Sequence, residues 1–225
     1  MGVNADKWGP GAWRFLHYAT LAFPDNPTKG QRKAYAALFH LLPRVLPCSV
    51  CRKHLRKSYQ ASPPVLQSRP QMIRWMEDVH TAINVRLRKK VKRVPVQGRI
   101  EAFRKGWRAG LRDLAFSMAF NAPRVTLSND IVHFLAACRR VAGANSLPAV
   151  THLKTKAGLL NTLSAFFRVS KTSVQAKYRP WLSQKSLVSS NRVWPFTRNR
   201  PASASSTRTS SRPSRRRVLH LKIGL

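Results

Sequence analysis

Two cysteines three positions apart, Cys48 and Cys51, are the residues of this chain best suited to chemistry. Thiols at this spacing at the start of a helix can close a disulfide within one turn. The unpaired N–H groups and the dipole of the helix N-terminus also favour the reactive thiolate. Arg52 and Lys53 add positive charge directly after the pair. The pattern therefore indicates a redox-active disulfide.

Two other kinds of site use a C-x-x-C pair, a zinc site and a thioredoxin-type site. A structural zinc site needs two further Cys or His ligands. His54 follows Cys51 by three positions, but no second C-x-x-C and no H-x-x-x-H completes a ligand set, so we predict no metal. A thioredoxin-type site needs a βαβ setting, which this sequence does not predict. The third cysteine, Cys138, is far from the pair, and we assign it no role.

Aromatic and polar side chains recur at helical spacing elsewhere in the chain. Trp13 and His17 are four positions apart, as are His80 and Asn84, and Lys89 follows the second pair. Residues at this spacing share one helix face. A histidine alone on an apolar face is more often a core residue, but together these groups offer what a flavin needs: flat aromatic surface, polar side chains and a cation. The chain has no G-x-G-x-x-G, which excludes a Rossmann mode of dinucleotide binding.

Periodic apolar positions predict the helices that would hold these groups. The first helix ends near Pro24, and its apolar face consists of Trp13, Leu16, His17, Thr20 and Leu21. The second is capped by Thr28, the third runs from Cys48 to about Ala61, and a shorter fifth runs from Ile100 to Leu111. The fourth is capped by Ser68, and its apolar face consists of Met72, Trp75, Met76, Val79, Ile83 and Leu87. Pro43 predicts a kink or an early end of the second helix. No window alternates as a strand does, so we predict an all-α bundle.

The chain divides by composition into three parts. Residues 1–113 form the predicted bundle, residues 114–188 keep apolar clusters that predict a helical extension, and residues 189–225 turn to a basic Ser/Arg-rich segment that we expect to be flexible. The whole chain has 42 Lys and Arg against 7 Asp and Glu, a formal charge of +35. Such a charge favours contact with polyanions. We expect neither a signal peptide nor a membrane span.

Four motifs in order resemble the Erv/ALR family of FAD-linked sulfhydryl oxidases. They are W-G-x-G-x-W-x-x-L-H, F-P-x-x-P-T, L-P-C-x-x-C and W-x-x-x-x-H-x-x-x-N-x-x-L-x-K, which cover 8–17, 23–28, 46–51 and 75–89. The resemblance extends over about residues 7–113. It implies a four-helix bundle plus a short fifth helix that holds FAD and usually dimerises.

The resemblance also implies roles for single residues. Cys51 would face the flavin, and Cys48 would be the cysteine that a substrate thiolate attacks. The chain would then form disulfides in thiol-containing protein substrates and reduce O2 to H2O2. The residues that the resemblance places around FAD are Trp8, Gly9, Trp13, His17, His80, Ile83, Asn84, Leu87, Lys89, Lys90 and Trp107.

The chain departs from the family pattern at several positions. Thr81 stands where asparagine is frequent, Pro10 replaces an arginine, and Lys90 stands where many members have proline. The family's structural cysteine pair and its shuttle C-x-x-C are absent. In this the chain resembles the versions of large DNA viruses, and that resemblance implies that the protein works in the host cytoplasm or in the virion.

The competing hypothesis is a nucleic-acid-binding or virion structural protein on a degenerate oxidase scaffold, favoured by the +35 charge and the basic tail.

Overall fold

The structure is a computed structural model that describes residues 4–89, 96–122, 127–143 and 145–182. Across these ranges the chain is helical and contains no strand, which confirms the all-α prediction. Short 3₁₀ turns precede the fifth helix and follow the last one. The α-helices are α1 (Ala5–Leu21), α2 (Lys29–Val45), α3 (Ser49–Ala61), α4 (Arg69–Arg86), α5 (Ile100–Asn121), α6 (Asn129–Ala142), α7 (Lys156–Phe167) and α8 (Lys171–Tyr178).

The starts of α2, α3 and α4 lie where the sequence predicts them. Thr28 caps α2 through a reciprocal pair of hydrogen bonds with Gln31, in which each side chain accepts from the other residue's backbone N–H. Such a capping box satisfies two N–H groups that a helix start leaves unpaired. Cys48 is the cap of α3. Ser68 holds the cap position of α4, but its hydroxyl donates to the Gln71 side chain instead of accepting from the backbone.

Of the two outcomes predicted at Pro43, the early end is wrong, because α2 continues to Val45. The kink stays a prediction. Pro43 lies in the last turn of the helix, where its missing N–H removes one hydrogen bond near the end. The buried residues Leu42, Pro43 and Val45 hold this turn in the core. The turn matters for function because α3 and the cysteine pair begin just after it.

The predicted length of the fifth helix is also wrong. Helix α5 begins at Ile100 as predicted but runs for 22 residues to Asn121. Its second half contains neither proline nor β-branched residues, and the stretch from Leu114 to Ala119 is buried throughout. Burial of that stretch favours continuing the helix. The predicted boundary between 113 and 114 therefore falls inside α5, and the three-part division of the chain stays a prediction.

The helices pack in two connected groups around one hydrophobic core. Helix α1 lies against α4 and α5, helix α2 lies against α3 and α6, and α7 and α8 contact α5. An ion pair of 3.0 Å joins Arg44 on α2 to Asp130 on α6. Asp113 on α5 accepts a hydrogen bond of 2.6 Å from the Tyr178 hydroxyl on α8. The helices after α5 thus share the core of the bundle, whereas the tail from 189 to 225 lies outside the described residues.

Candidate functional site

The cysteine pair occupies the junction between α2 and α3. Cys48 and Cys51 form a disulfide with their Cα atoms 5.1 Å apart. The backbone N–H of Cys51 donates to the Cys48 sulfur at 3.2 Å, so the sulfur itself caps the helix. Arg52 donates from Nη1 to the Leu46 carbonyl at 2.6 Å and thereby ties the start of α3 back to the end of α2. Pro47 disfavours helical backbone at Leu46 before it, which ends α2. Cys48 has extended backbone.

The two cysteines differ in their surroundings. Cys51 lines a cavity of about 620 Å³, whereas Cys48 is not among the residues that line it. Cys48 is only 4% exposed, and Cys51 is half-buried. A disulfide with one sulfur at a cavity wall and the other outside that wall can exchange electrons with two different partners.

Helices α1, α3, α4 and α5 and the end of α2 enclose the cavity. Its volume lies in the usual range for cofactor sites, about 300–1,000 Å³. Most of the residues that the sequence predicts as cofactor ligands line it. They are Trp8, Gly9, Trp13, His17, His80, Ile83, Asn84, Leu87 and Lys89. The helical spacing of these residues on α1 and α4 explains why they converge, because each set faces inward from its own helix.

Two predicted residues are not found on the cavity wall. Lys90 lies outside the described residues. Trp107 is described, but its ring stacks on Tyr18 with the ring centroids 4.6 Å apart and the planes 5° from parallel. It is not among the residues that line the cavity. Its predicted place among the residues around FAD stays a prediction.

Two histidines meet inside the cavity between α1 and α4. The distance from His17 Nε2 to His80 Nδ1 is 2.9 Å, a hydrogen bond in which one ring donates and the other accepts. The ring of His80 stacks on Trp13 with centroids 3.8 Å apart, and His17 stacks on Phe103 at 4.7 Å. The pair is therefore held between two aromatic rings.

Burial keeps both histidines neutral. It lowers the pKa of His17 to about 3, with further lowering from His80 and Arg99. It lowers the pKa of His80 to about 4, with further lowering from Arg99 and Lys89. A neutral ring has one donor and one acceptor nitrogen. His17 Nδ1 is buried and has no hydrogen-bond partner in the described structure, so it is available to a group in the cavity.

These lowered pKa values predict a loss of stability in acid. An unfolded histidine binds its proton near pH 6.5, whereas the folded pair binds only near pH 3 to 4. The unfolded state then carries more protons between these values, so the free energy of unfolding falls as the pH drops from about 6.5 to about 4. Urea titrations of the cofactor-free protein at about pH 7 and about pH 5 would measure this fall.

The variant His80→Gln is expected to show a smaller fall than the wild type, because one of the two titrating rings is gone. Replacing the exposed His40 with glutamine is the matched control and should leave the fall as it is. An equal fall in His80→Gln and in the wild type would contradict the histidine pair as its source.

The cavity also contains residues that the sequence analysis did not assign to it. Arg99 and Phe103, four positions apart at the start of α5, line it from one side, and His54, Tyr59 and Arg86 line it from α3 and α4. His54 is 7% exposed, and its Nδ1 has no hydrogen-bond partner among the described residues. The position of His54, one helical turn after Cys51, was a signal for the cavity, although in the sequence His54 was a candidate only for a zinc ligand.

The lining fits a flat aromatic group that carries an anionic arm. Aromatic rings and leucines supply apolar walls, and the unpartnered Nδ1 atoms of His17 and His54 offer polar contacts. Lys89 and Arg99 supply cations to the same cavity. Such cations can hold phosphates where no glycine-rich phosphate loop exists.

The described residues lack two other kinds of feature. None of their helices is long and apolar enough to cross a lipid bilayer. No three of their His, Cys, Asp or Glu side chains come together as the ligands of a metal ion.

Comparison with known proteins gives one consistent result. The profile of the Erv1 / Alr family matches residues 10–108. Over 107 residues the chain is 35% identical to a probable FAD-linked sulfhydryl oxidase of Acanthamoeba polyphaga mimivirus, which covers 46% of this chain and 73% of that relative. Over 86 residues it is 34% identical to an FAD-linked sulfhydryl oxidase of African swine fever virus, which covers 37% of this chain and 71% of that relative.

Cellular relatives are longer than the matched region. The mitochondrial FAD-linked sulfhydryl oxidase of Saccharomyces cerevisiae is 28% identical over 86 residues, which are 38% of this chain and 46% of that relative. The chain thus spans about half the length of this relative. No solved structure matches the chain.

Proposed function

This chain belongs to the Erv1 / Alr family, and from that membership we propose that it is an FAD-linked sulfhydryl oxidase whose redox-active pair is Cys48–Cys51. The observation that carries the proposal is the position of this disulfide. Cys51 lies on the wall of a cavity that fits a flavin nucleotide, while Cys48 lies outside that wall.

FAD, when bound, supplies the two-electron acceptor for the reduced cysteine pair and passes the electrons to O2, which yields H2O2. The residues of this chain hold the cofactor and separate it from the substrate. Trp8, Trp13, His17 and His80 would contact it from α1 and α4, with Gly9, Ile83, Asn84 and Leu87 completing the wall. Lys89, and Lys90 beside it in the sequence, would provide charge for the diphosphate, and Trp107 would close the adenine side.

The thiol chemistry begins at Cys48. A substrate thiolate attacks the Cys48 sulfur, the Cys48–Cys51 bond breaks, and Cys51 leaves as a thiolate. A second substrate thiolate attacks the substrate sulfur of the mixed disulfide and releases Cys48. The substrate thus gains a disulfide, and both cysteines of the pair are reduced. Because Cys48 is 4% exposed, we expect the segment around it to move as a substrate arrives.

The geometry of the junction favours Cys48 as a leaving group. The N–H of Cys51 already points at the Cys48 sulfur, and a thiolate accepts such a bond more strongly than a disulfide sulfur does. The N-terminus of α3 adds its positive dipole. Both effects stabilise the Cys48 thiolate, so it leaves readily when the mixed disulfide is resolved.

Cys138 offers no relay to this pair. It is fully buried on α6, and burial raises the pKa of its thiol. A protonated thiol in the core is a poor nucleophile. We therefore propose that electrons enter the pair directly from the substrate.

Three further properties belong to the proposal. We propose a homodimer, as the family resemblance implies, and a site of work in the host cytoplasm or the virion, which the two viral relatives support. We also propose that the basic tail contacts polyanions, because residues 189–225 carry nine of the 42 Lys and Arg and none of the acids.

The absorption spectrum tests the proposal directly. The purified protein is expected to show the visible bands of an oxidised flavin and to consume O2 when dithiothreitol is added. Bleaching of these bands by dithiothreitol under nitrogen, and their return in air, would link the thiol to the cofactor. A colourless protein that neither binds added FAD nor consumes O2 would contradict the proposal.

A further inference from the structure

The cysteine pair lies within a long stretch of the chain that has no acidic residue. From position 26 to position 76 the sequence contains ten Lys and Arg and no Asp or Glu. This stretch includes all of α2 and α3. The pair therefore sits in a part of the chain where no acidic residue close in sequence neutralises the positive charge.

Three exposed cations of α3 form no ion pair with any acid that the structure describes. Among the described residues, the ion pairs engage cations on other elements, such as Arg44 with Asp130 and Arg69 with Asp25. Lys53, Arg56 and Lys57 take part in none of these ion pairs, and all three are exposed. They leave a patch of uncompensated charge on α3.

The patch begins directly beside the redox pair. Positions 48, 52 and 56 are spaced by four, so Arg52 and Arg56 continue along the helix on the side where Cys48 caps it. Lys53 and Lys57 form a second row of the same spacing. The field of this patch reaches the interior, since Lys57 and Lys53 add to the effects of burial and of Arg86 in lowering the pKa of the buried His54.

We propose that the α3 patch, formed by Lys53, Arg56 and Lys57, selects thiol substrates whose reacting cysteine is flanked by acidic residues. The inference rests on the proposed oxidase function and names its substrate class. The reaction requires a thiol at Cys48, so the partner that docks here is a protein segment with a cysteine. Nucleic acid would match the charge but brings no thiol to the pair.

The helix fixes where the acidic residues of the substrate should lie. Arg56 is eight residues beyond Cys48, about 12 Å along the helix axis. An extended peptide covers about 12 Å in roughly four residues. A substrate cysteine bonded to Cys48 would therefore bring carboxylates within about four positions of it over Lys53, Arg56 and Lys57.

Three dithiol peptides of equal length test the proposal. Each carries the same C-x-x-C, flanked within four positions by Asp, by Asn or by Lys. With the FAD-loaded wild type at low salt, kcat/KM for the Asp peptide is expected to exceed that for the Lys peptide by about tenfold or more. The ratio should shrink as salt is added, because salt screens exposed charges.

A charge-reversed variant locates the effect. Lys53→Glu, Arg56→Glu and Lys57→Glu together are expected to abolish or invert the Asp-to-Lys ratio, and Arg56→Gln alone should reduce it. The matched control is the triple variant Arg104→Glu, Lys154→Glu and Lys171→Glu, which changes the net charge equally at exposed cations outside α2 and α3. The control should keep most of the wild-type ratio.

The outcomes separate this inference from the proposed function. If the wild type oxidises dithiothreitol and all three peptides equally well, the α3 patch does not select substrates, while the oxidase function stands. If the wild type oxidises neither the peptides nor dithiothreitol, the proposed function fails and this inference fails with it. A control variant that loses the ratio as fully as the α3 variant would also overturn the inference. The same holds if the α3 variant lowers oligonucleotide binding without changing the peptide ratio, because the patch would then bind nucleic acid.

Discussion

Replacing Cys51 with serine is expected to abolish thiol oxidation while the protein keeps its flavin. Serine cannot form the disulfide, so the pair can no longer cycle, and turnover should fall by about 10³-fold or more. Cys51 contributes one side chain to a cavity lined by more than twenty residues. Loss of a single sulfur should therefore leave the cofactor in place. Oxygen consumption with dithiothreitol and the visible flavin spectrum of the same sample measure the two effects.

The other two cysteines provide controls for this variant. Cys48→Ser should be equally inactive, because it removes the sulfur that the substrate attacks. Cys138→Ala should retain wild-type turnover and lose only about 1 kcal/mol of stability, since this residue fills space in the core of α6. A Cys51→Ser protein that still turns over, or a Cys138→Ala protein that does not, would contradict the assignment of the redox pair.

Mixed-disulfide trapping distinguishes the two cysteines of the pair. In Cys51→Ser, two cysteines remain: Cys138 is fully buried on α6, whereas Cys48 is 4% exposed and lies at the start of α3. The cysteine expected to react is Cys48. Incubation with an activated disulfide should label it, and the label should form at lower pH than is usual for a thiol, because the α3 N-terminus stabilises the thiolate. Labelling that proceeds only at alkaline pH would contradict the claim that the position of Cys48 at the start of α3 makes its thiol reactive.

The sequence predicted that aromatic and polar side chains of α1 and α4 meet in one cavity, because this follows from the period of the helix. Trp13 and His17 share a face of α1, and His80 and Asn84 share a face of α4, so two faces were enough to predict one pocket. Thr28 and Cys48 predicted the starts of α2 and α3 because caps are local signals. The family resemblance then indicated which cofactor such a pocket would hold.

Other features depend on contacts between distant parts of the chain. The length of α5 follows from burial of Leu114 to Ala119 by helices after it, which no local signal reveals. Trp107 is positioned by Tyr18 on another helix. The 4% exposure of Cys48 depends on packing around the junction of α2 and α3, which the spacing of the two cysteines does not reveal. Local patterns thus specified the elements, and tertiary packing decided their ends and their exposure.

The second large effect is expected at the crossing of α1 and α5, the two helices that hold His17 and Phe103. Gly11 and Gly110 bring the two backbones into contact there. A Cβ atom on Gly110 would lie 2.1 Å from the Gly11 carbonyl oxygen and 2.8 Å from its carbonyl carbon. Both atoms belong to the backbone of a helix, so no side chain can turn aside, and the helices must separate.

Gly110→Ala is therefore expected to destabilise the protein by about 3 kcal/mol, the upper part of the range for overpacking. The clash outweighs the gain in helix propensity, which is about 1 kcal/mol for glycine to alanine. Separation of the helices would also disturb the stacking of His17 on Phe103, whose ring centroids lie 4.7 Å apart. Flavin affinity should fall together with the free energy of unfolding, which urea titration and flavin release on dilution would measure.

Two other glycines give a graded control series. A Cβ atom on Gly11 would meet Gly110 Cα at 3.0 Å, a milder contact, so Gly11→Ala should destabilise less than Gly110→Ala. At Gly30 the nearest atom is the Thr28 hydroxyl oxygen at 3.9 Å, and alanine there should be neutral or stabilising by about 0.5 kcal/mol. Because all three changes add the same methyl group to a helix, their order isolates the crossing from helix propensity. If Gly110→Ala were as stable as Gly30→Ala and bound flavin equally well, then α1 and α5 could part without cost, and their close approach would not be what shapes the cavity.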